Sequence, residues 1–389
     1  MNKVFFLITL VATLVVCSCS NHADKSSLSE LKKGFLNPPD SARPGVYWYF
    51  MDGNISKEAI TADLESMKKV GIGTVLFLEV NVGIPRGKVD FMSEEWMNLF
   101  THMVRESERL GITINLGVGP GWCGSGGPWV TGEKSMKHLV YSFVQVSGSE
   151  KKPIILPKPM PMKPYFGEEA FTPELKKKWL DYYEDVCVLA FPAPSVEFKI
   201  SDITEKALYY RDPYSSMPGV KPFLPSLANY SEPTRGTAIS SDKIIDVTQY
   251  LKPDGTLDWR VPKGNWTIMR FGSRNNGAVT RPAPLPGVGF EADKMDTTAI
   301  NAHLASFTGK LLKNVGIPDK KLQGGLKMLH MDSWEMGAQN WTAKFRSEFK
   351  KRRGYDPLPF YPVYSGLVVE SLEKSERFLW DLRQTNQEL

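Results

Sequence analysis

The sequence predicts an α/β fold: an incomplete (β/α) barrel of the TIM type, interrupted by a β-rich inserted domain. First, short apolar strands alternate with amphipathic helices from Gly45 to Val118, which is typical of a parallel sheet covered by helices. Second, residues 146–270 are rich in proline and contain strand-sized segments between turn residues. Third, the alternation of helices and strands resumes from Pro282.

Individual elements are predicted from apolar spacing and from the residues that begin and end helices. Ser56, Ser93 and Asp296 are placed to cap helices. A closed barrel needs eight parallel strands, but only about four are clear outside the insertion, so the chain looks truncated. The strands and C-terminal helices expected are Gly45–Met51, Thr74–Val80, Ile112–Val118, Leu257–Val261, Trp266–Phe271, Leu326–Met331, Ala343–Arg353 and Leu367–Leu389.

Residues 1–19 have the features of a bacterial lipoprotein signal peptide. Lys3 precedes the apolar stretch Val4–Val16, which is too short to span a bilayer. Residues 16–19 (Val-Cys-Ser-Cys) have the form of a lipobox, so Cys19 is the predicted lipidation site. The lipid would anchor the protein to the outer membrane, on the periplasmic side or at the cell surface. An ordinary cleaved signal peptide is the alternative, and it also places the protein outside the cytoplasm.

The predicted organisation has five parts. They are a signal peptide (1–19), a polar tether (20–34), the first part of the catalytic barrel (35–145), the inserted β-rich domain (146–270) and the truncated continuation of the barrel (271–389).

Composition argues against several classes of function. The net charge of +5 is small for 389 residues, and the basic runs suit solvated helix ends better than nucleic acid. Only Cys123 and Cys187 follow the signal, without the Cys/His spacing of a zinc site. Gly119–Gly124 has the spacing of a dinucleotide fingerprint, but Ser125–Pro128 cannot begin the helix that would hold a pyrophosphate. We therefore expect no nucleotide and no zinc, whereas a hard cation held by oxygen ligands remains open.

The candidate site consists of carboxylates, amides and tryptophans at predicted strand ends. Carboxylates can transfer protons, and tryptophan rings can stack on the apolar face of a pyranose. Glu335 lies just past a strong strand and between two tryptophans, which suits a general acid. Each residue alone could equally be a helix cap or a packing residue, but the cluster favours a sugar-cleaving site. The other candidates for contacting the sugar are Trp48, Asp52, Asn54, Glu79, Asn81, Trp122, Glu291, Asp293, Asp332, Trp334, Asn340 and Trp341.

Several short motifs occur together in this chain. They are residues 48–54 (Trp-Tyr-Phe-Met-Asp-Gly-Asn), 119–122 (Gly-Pro-Gly-Trp), 291–294 (Glu-Ala-Asp-Lys), 332–335 (Asp-Ser-Trp-Glu), 339–342 (Gln-Asn-Trp-Thr) and 353–357 (Arg-Gly-Tyr-Asp-Pro). In combination they resemble the N-terminal part of bacterial α-L-rhamnosidases of glycoside hydrolase family 106. The resemblance covers nearly the whole mature chain.

The resemblance implies a catalytic barrel interrupted and followed by β-domains, hydrolysis with inversion, and dependence on Ca²⁺. It implies export by gut Bacteroidetes that degrade pectic glycans. It also implies Glu335 as the general acid, with Asp332 and Asn340 in the same subsite. Members of the family are longer, so the catalytic base is expected beyond Leu389 and this chain alone is expected to be inactive.

The leading hypothesis is an exported, inverting α-L-rhamnosidase that acts on plant or pectic oligo- or polysaccharides. Two alternatives remain. One is a glycan-binding lipoprotein that uses its tryptophans without catalysis. The other is a glycoside hydrolase of different specificity, such as a β-galactosidase relative.

Overall fold

The computed structural model describes residues 28–39, 42–148, 153–211, 233–316, 321–331 and 334–389. The predicted signal peptide with Cys19, and the candidate residue Asp332, lie outside the described residues. The main elements, in chain order, are α1 (Leu28–Leu36), β1 (Gly45–Met51), α2 (Lys57–Lys69), β2 (Thr74–Val80), α3 (Glu94–Leu110), β3 (Thr113–Gly117), β4 (Gly126–Gly127), β5 (Lys137–Ser147), β6 (Ile154–Ile155), α4 (Pro173–Asp181), β7 (Glu184–Pro192), α5 (Ile203–Lys206), β8 (Ile245–Asp246), β9 (Thr256–Leu257), β10 (Asn265–Asn275), β11 (Phe290–Glu291), α6 (Thr297–Leu304), α7 (Lys310–Val315), β12 (Gly325–His330), α8 (Phe345–Arg353) and α9 (Leu372–Glu388).

A parallel sheet with strand order β1-β2-β3-β12 forms the first half of the fold. Helices α2 and α3 cover one face of this sheet, because each carries apolar side chains at helical spacing that pack against the strands. Phe77 of β2, for example, packs with Trp96 and Phe100 of α3 in one buried cluster. Ser93 caps α3 by accepting a hydrogen bond from the backbone of Trp96, and Gly111 ends it in the left-handed conformation (φ 67°).

The predicted α/β class with a parallel sheet is confirmed. The closed barrel is not observed, because the four strands form an open sheet in the described part of the chain. The edge strand β12 carries exposed apolar side chains, Met328 at 44% and Leu329 at 54%. Residues 28–34 of the predicted tether are helical and belong to α1, whose Leu31 and Phe35 are largely exposed.

A second, antiparallel sheet has the strand order β5-β10-β7-β8. It begins at Lys137 and ends at Asn275, and so extends past both ends of the predicted insertion. Strand β10 is longer than predicted. Every residue of this strand after Asn265 is buried, including Arg270. The sequence therefore shows no alternation of exposed and buried positions that would mark where the strand ends. Of the predicted strand Leu257–Val261, only Leu257 belongs to a strand.

The C-terminal helices pack on this antiparallel sheet. Phe345 and Phe349 of α8 and Phe378 of α9 share a buried cluster with Met269 and Phe271 of β10. Within 271–389, β12 is the strand that joins the parallel sheet. We expected residues 271–389 to continue the barrel as a whole, but helices α8 and α9 pack on the antiparallel sheet instead. The division of the chain into five parts stays a prediction.

The last helix begins later than predicted, at Leu372 instead of Leu367. Ser371 caps it by accepting a hydrogen bond from the backbone of Lys374. Within the described residues, none of the helices has the length and apolar character needed to cross a membrane.

Candidate active site

Parallel strands end at the same edge of their sheet, and the predicted site residues follow those ends. The end of β1 leads to Asp52, the end of β2 contains Glu79, and the end of β12 leads to Trp334 and Glu335. The glycine-rich loop after β3 joins this edge: the Gly121 backbone N–H donates to the Glu79 carbonyl at 2.9 Å. Distant stretches of sequence thus meet at one edge of the sheet.

Glu79 lies in a buried carboxylate cluster beside helix α3. Its side chain is only 1% exposed. Trp96 Nε1 donates to Glu79 Oε2 at 2.9 Å, and Oε1 has no hydrogen-bond partner among the described residues. Burial raises the pKa of Glu79 to about 8, the Trp96 hydrogen bond partly offsets this, and the negative charge of Asp52 adds to it. Glu79 therefore holds a proton at neutral pH.

Asp52 and Asn81 complete this first cluster. Asn81 Nδ2 donates to Asp52 Oδ2 at 3.0 Å, and Asp52 adopts a left-handed backbone conformation (φ 47°). Because side chains alternate along a strand, Glu79 shares the helix-covered face of the sheet with Phe77. The first cluster is thus directed towards helix α3.

A second cluster surrounds Glu291, which is fully buried. Its Oε2 accepts hydrogen bonds from Ser125 Oγ at 2.5 Å and from Lys294 Nζ at 2.9 Å. Its Oε1 has no partner among the described residues. The Lys294 ammonium group also lies over the Trp334 ring, 5.3 Å from its centre. Glu291 therefore positions a cation that in turn contacts a predicted sugar-binding tryptophan.

Cys123 links Glu335 to this second cluster. Burial raises the pKa of the Cys123 thiol to about 12, with a further contribution from the negative charge of Glu291. The Glu335 backbone hydrogen bond to the sulfur lowers that pKa, and the Glu335 charge raises it. The backbone of Glu335 thus lies against the Cys123 thiol, and the charge of Glu291 acts on the same thiol, although the two glutamates are far apart in sequence.

Asp293, two residues after Glu291, is buried and paired with Lys137 at 3.2 Å. Gln339 Nε2 donates to Asp293 Oδ1, and the Lys294 backbone N–H donates to Gln339 Oε1 at 3.4 Å. This network fixes the backbone that carries Lys294. It leaves Asp293 beneath the surface of the candidate site.

Asn340 and Trp341 are interior residues in this structure. The two polar atoms of the Asn340 side chain bind backbone: Oδ1 accepts from Leu139 at 2.8 Å, and Nδ2 donates to Ala207 at 2.8 Å. Trp341 packs between Phe345 and Tyr361 in the core. The packing alternative for these two residues therefore fits better than the sugar contact that the sequence predicts.

The remaining candidates divide between core and surface. Trp48 is buried under helix α2, where its Nε1 donates to Asp63 at 3.0 Å. Asn54 is exposed and donates to the backbone of Met51 and of Pro85 at 2.9 Å each. Trp122 is half-buried and contacts Tyr49, with ring centres 5.5 Å apart. Of these three, Trp122 is the partly buried tryptophan in the loop that follows β3 and meets the strand ends.

A pocket of about 280 Å³ begins one residue after Glu335, at Met336. His138 lies in its wall, with one ring nitrogen 2.9 Å from the Ala338 carbonyl and Nδ1 without a partner among the described residues. Burial lowers the pKa of His138 to about 4, so the ring is neutral at neutral pH. Tyr165 and Tyr210 provide aromatic surface. The sequence analysis did not identify these residues, because they lie in or beside the Pro-rich segment. The tyrosines of that segment were the one available signal for a binding pocket.

The described residues contain no cluster of acidic side chains of the kind that holds Ca²⁺. No three His, Cys, Asp or Glu side chains among them converge on one point, whereas Ca²⁺ takes about six to eight oxygen ligands. The predicted calcium dependence stays a prediction.

Comparison with known proteins decides the family. The sequence profile of the α-L-rhamnosidases of glycoside hydrolase family 106 matches residues 36–389. The chain belongs to this family. The family resemblance predicted from the short motifs is thereby confirmed.

Two relatives of the rhamnosidase-family chain are informative. A protein of Formosa agariphila named "Putative beta-glucuronidase" is 38% identical over 359 residues, a match that covers 92% of this chain and 28% of that protein. The solved structure of a rhamnosidase from Novosphingobium sp. PP1Y is 26% identical with a TM-score of 0.71, and covers 91% of this chain and 44% of that one. The family member described here thus spans less than half the length of either relative.

Proposed function

We propose that this chain carries the general-acid side of an inverting α-L-rhamnosidase that acts on plant or pectic glycans, with Glu335 as the acid. Family membership and the likeness to a solved rhamnosidase support this proposal. Its parallel sheet would then belong to a (β/α) barrel. The exposed apolar side chains of Met328, Leu329 and Met331 support that architecture, because exposed apolar edge strands are otherwise avoided.

One observation carries the proposal: Glu335 and the Glu291–Lys294 pair share Cys123 and Trp334 as neighbours. In glycoside hydrolysis by inversion, an acid protonates the leaving oxygen while a carboxylate activates water from the opposite face. Glu335 follows a strand end and is only partly buried, so a glycosidic oxygen can reach its carboxyl group. Trp334 beside it offers a ring face for the sugar.

Glu291 is assigned a positioning role. It is fully buried and held by Lys294 and Ser125, so it orients the Lys294 ammonium over Trp334. The carboxylate that activates water should lie roughly 6.5–9.5 Å from the acid.

A β-glucuronidase is the second candidate, supported by the name of the relative from Formosa agariphila. A glucuronide carries a carboxylate that a free cation would bind. Arg211 is suitably placed, because its Nη2 donates to the Trp334 carbonyl at 2.5 Å while its Nε is buried without a partner among the described residues. Comparing a rhamnoside with a glucuronide of the same leaving group separates the two candidates.

For the cellular location, we propose an exported lipoprotein anchored through Cys19 to the outer membrane. The lipobox at residues 16–19 supports this. If Cys19→Ala leaves membrane association and precursor processing unchanged, the lipoprotein proposal fails, whereas the enzymatic proposal is unaffected.

The decisive experiment measures hydrolysis by the protein expressed from its complete reading frame. Glu335→Gln should lower the rate on an alkyl α-L-rhamnoside by about 10²–10⁴-fold, because the leaving oxygen is no longer protonated. With an aryl rhamnoside whose leaving group has a low pKa, the same substitution should lower the rate much less, because that leaving group needs little protonation. Glu174→Gln, at an exposed position of α4, serves as the matched control. An unchanged rate on the alkyl rhamnoside would eliminate Glu335 as the acid.

A further inference from the structure

A groove of about 430 Å³ lies on one face of the antiparallel sheet. Its floor is formed by alternate residues of two paired strands, β5 and β10. Phe143 pairs with Met269 and Gln145 pairs with Thr267 in this register. Neighbouring side chains on one face of a sheet form a continuous surface, so the groove runs along the strands.

The groove exists because the helical layer covers only part of this sheet face. Towards the β5 start, Leu139 and Phe271 are fully buried beneath the C-terminal helices. Farther along the same face, Phe143 is 54% exposed and Gln145 is exposed. An aromatic ring is thereby presented to solvent on a rigid strand.

The wall of the groove is fixed by backbone hydrogen bonds between segments distant in sequence. The Ser195 N–H donates to the Gly236 carbonyl at 3.0 Å, and the Ile200 N–H donates to the Gly366 carbonyl at 2.8 Å. These bonds hold residues 194–199 against residues 236–237 and 365–367, all of which line the groove or flank it. The groove is therefore preformed.

Thr237 supplies the observation that points to a polar ligand. It lines the groove and is 2% exposed, yet its hydroxyl has no hydrogen-bond partner among the described residues. A buried hydroxyl without a partner costs free energy. A ligand hydroxyl in the groove would satisfy it.

We propose that this groove binds a neutral pyranose of a polysaccharide chain, at a position separate from the candidate active site. The sugar would stack its apolar face on Phe143 and hydrogen-bond to Thr237, with Gln145 and Thr267 within the same lining. Glu197 and Lys199 on the wall carry opposite charges, so the rim favours a neutral ring over an acidic one.

The two sites are far enough apart to act independently. Lys137 of β5 contacts Asp293 below the candidate active site, and Phe143 lies six residues farther along the same strand, or about 20 Å at about 3.4 Å per residue. The choice of rhamnose as the probe rests on the proposed function. The groove itself does not, since a noncatalytic subsite would hold the polysaccharide while Glu335 acts elsewhere on it.

The test is an NMR titration of ¹³C-methyl methionine with methyl α-L-rhamnopyranoside, in the Glu335→Gln background to prevent turnover. Met269 reports on the groove, and Met336 reports on the pocket beside Glu335. We expect a saturable shift of Met269. Phe143→Ala should weaken that response about tenfold, and Thr237→Val several-fold, with no change in the response of Met336.

Thr237→Val keeps the shape of the side chain and removes the unpartnered hydroxyl, so the variant should fold at least as stably as the parent. Ile155→Ala, an exposed apolar residue outside the groove, is the control. An unresponsive Met269, or equal affinity in Phe143→Ala and the parent, overturns the groove proposal. Tighter binding of galacturonic acid than of the rhamnoside would overturn the neutral-sugar assignment. A silent Met336, together with absent hydrolysis by the protein that retains Glu335, would instead count against the proposed function.

Discussion

Two carboxylate clusters lie near the carboxyl ends of the parallel strands, and they differ in what surrounds each buried acid. Glu79 has a tryptophan donor and the carboxylate of Asp52 nearby. Glu291 has a lysine ammonium group and a serine hydroxyl in direct contact. Both acids are almost completely buried, so burial alone does not distinguish them.

The difference lies in the neighbouring charge. Without a cation, burial favours the neutral acid, and the pKa of Glu79 is raised to about 8. Glu291 instead forms an ion pair whose cation reaches Trp334. The first cluster therefore contains a protonated carboxyl group on the helix-covered face of the sheet. The second cluster contains an ion pair next to Glu335.

The largest effect should come from Glu79→Gln, measured as the pH dependence of unfolding. Native Glu79 keeps its proton up to about pH 8, but the unfolded chain loses it near 4.5. The native state thus binds more protons between these values, so this group makes stability fall as pH rises from about 5 to 8. At about 1.4 kcal/mol per pKa unit, the upper limit is about 5 kcal/mol. The Glu79→Gln substitution should abolish that loss, because glutamine has no proton to release.

Urea unfolding at pH 5 and pH 9 measures this difference, with Glu95→Gln on the exposed side of α3 as the control. Parallel pH profiles for the wild type and Glu79→Gln would show that Glu79 is ionised in the native state. The contrast between the two clusters would then disappear.

The second prediction removes the cation from the other cluster. Lys294→Met should destabilise the protein by about 3–5 kcal/mol, because it leaves the carboxyl group of Glu291 buried without its partner. Adding Glu291→Gln to this variant should recover part of the loss. Urea unfolding at pH 7 measures both. Lys178→Met, which breaks an exposed pair on α4, should have no measurable effect.

Recovery in the double variant is the informative outcome for this pair. If Glu291→Gln lowers the free energy of unfolding further in the Lys294→Met variant, the carboxyl group stabilises the fold through Ser125 and packing more than through the ion pair. The neighbouring charge would then not be what distinguishes the two clusters.

Local signals explain which parts of the fold the sequence could predict. The helix starts at Ser56 and Ser93 and the strand Thr74–Val80 were predicted and observed, because caps and apolar spacing are determined by nearby residues. Strand β10 was predicted to end at Phe271, four residues too early, since Arg274 appears polar in sequence but is buried and donates to the backbone carbonyls of Pro159 and Leu180. Interactions with residues distant in the chain cannot be predicted from a short stretch of sequence.

The same limit applies to the candidate site. Glu335 was identified from its strand end and its flanking tryptophans, but its neighbours Glu291 and Lys294 come from another segment, and no local pattern joins them. Asn340 illustrates the opposite error, since an amide suited to a sugar is equally suited to backbone, and here it binds backbone. Residue type predicts the chemistry that is possible, while tertiary contacts determine which chemistry is used.

The smallest effect is expected from Asp52→Asn, which tests the cause of the raised Glu79 pKa. Asparagine tolerates the left-handed backbone at this position and can still accept the hydrogen bond from Asn81. Removing one negative charge should lower the pKa of Glu79 by less than about one unit, because burial is the larger cause. The pH at which stability is lost should therefore move down slightly.

Trp96→Phe provides the opposing change on the same carboxyl group. It removes the hydrogen bond that lowers the pKa of Glu79, so the loss of stability should move to higher pH. NMR titration of ¹³C-labelled glutamate measures both shifts directly and is insensitive to the packing cost of replacing a buried tryptophan. Shifts in the same direction would mean that repacking controls the pKa of Glu79, and that neighbouring charge is not what separates the two clusters.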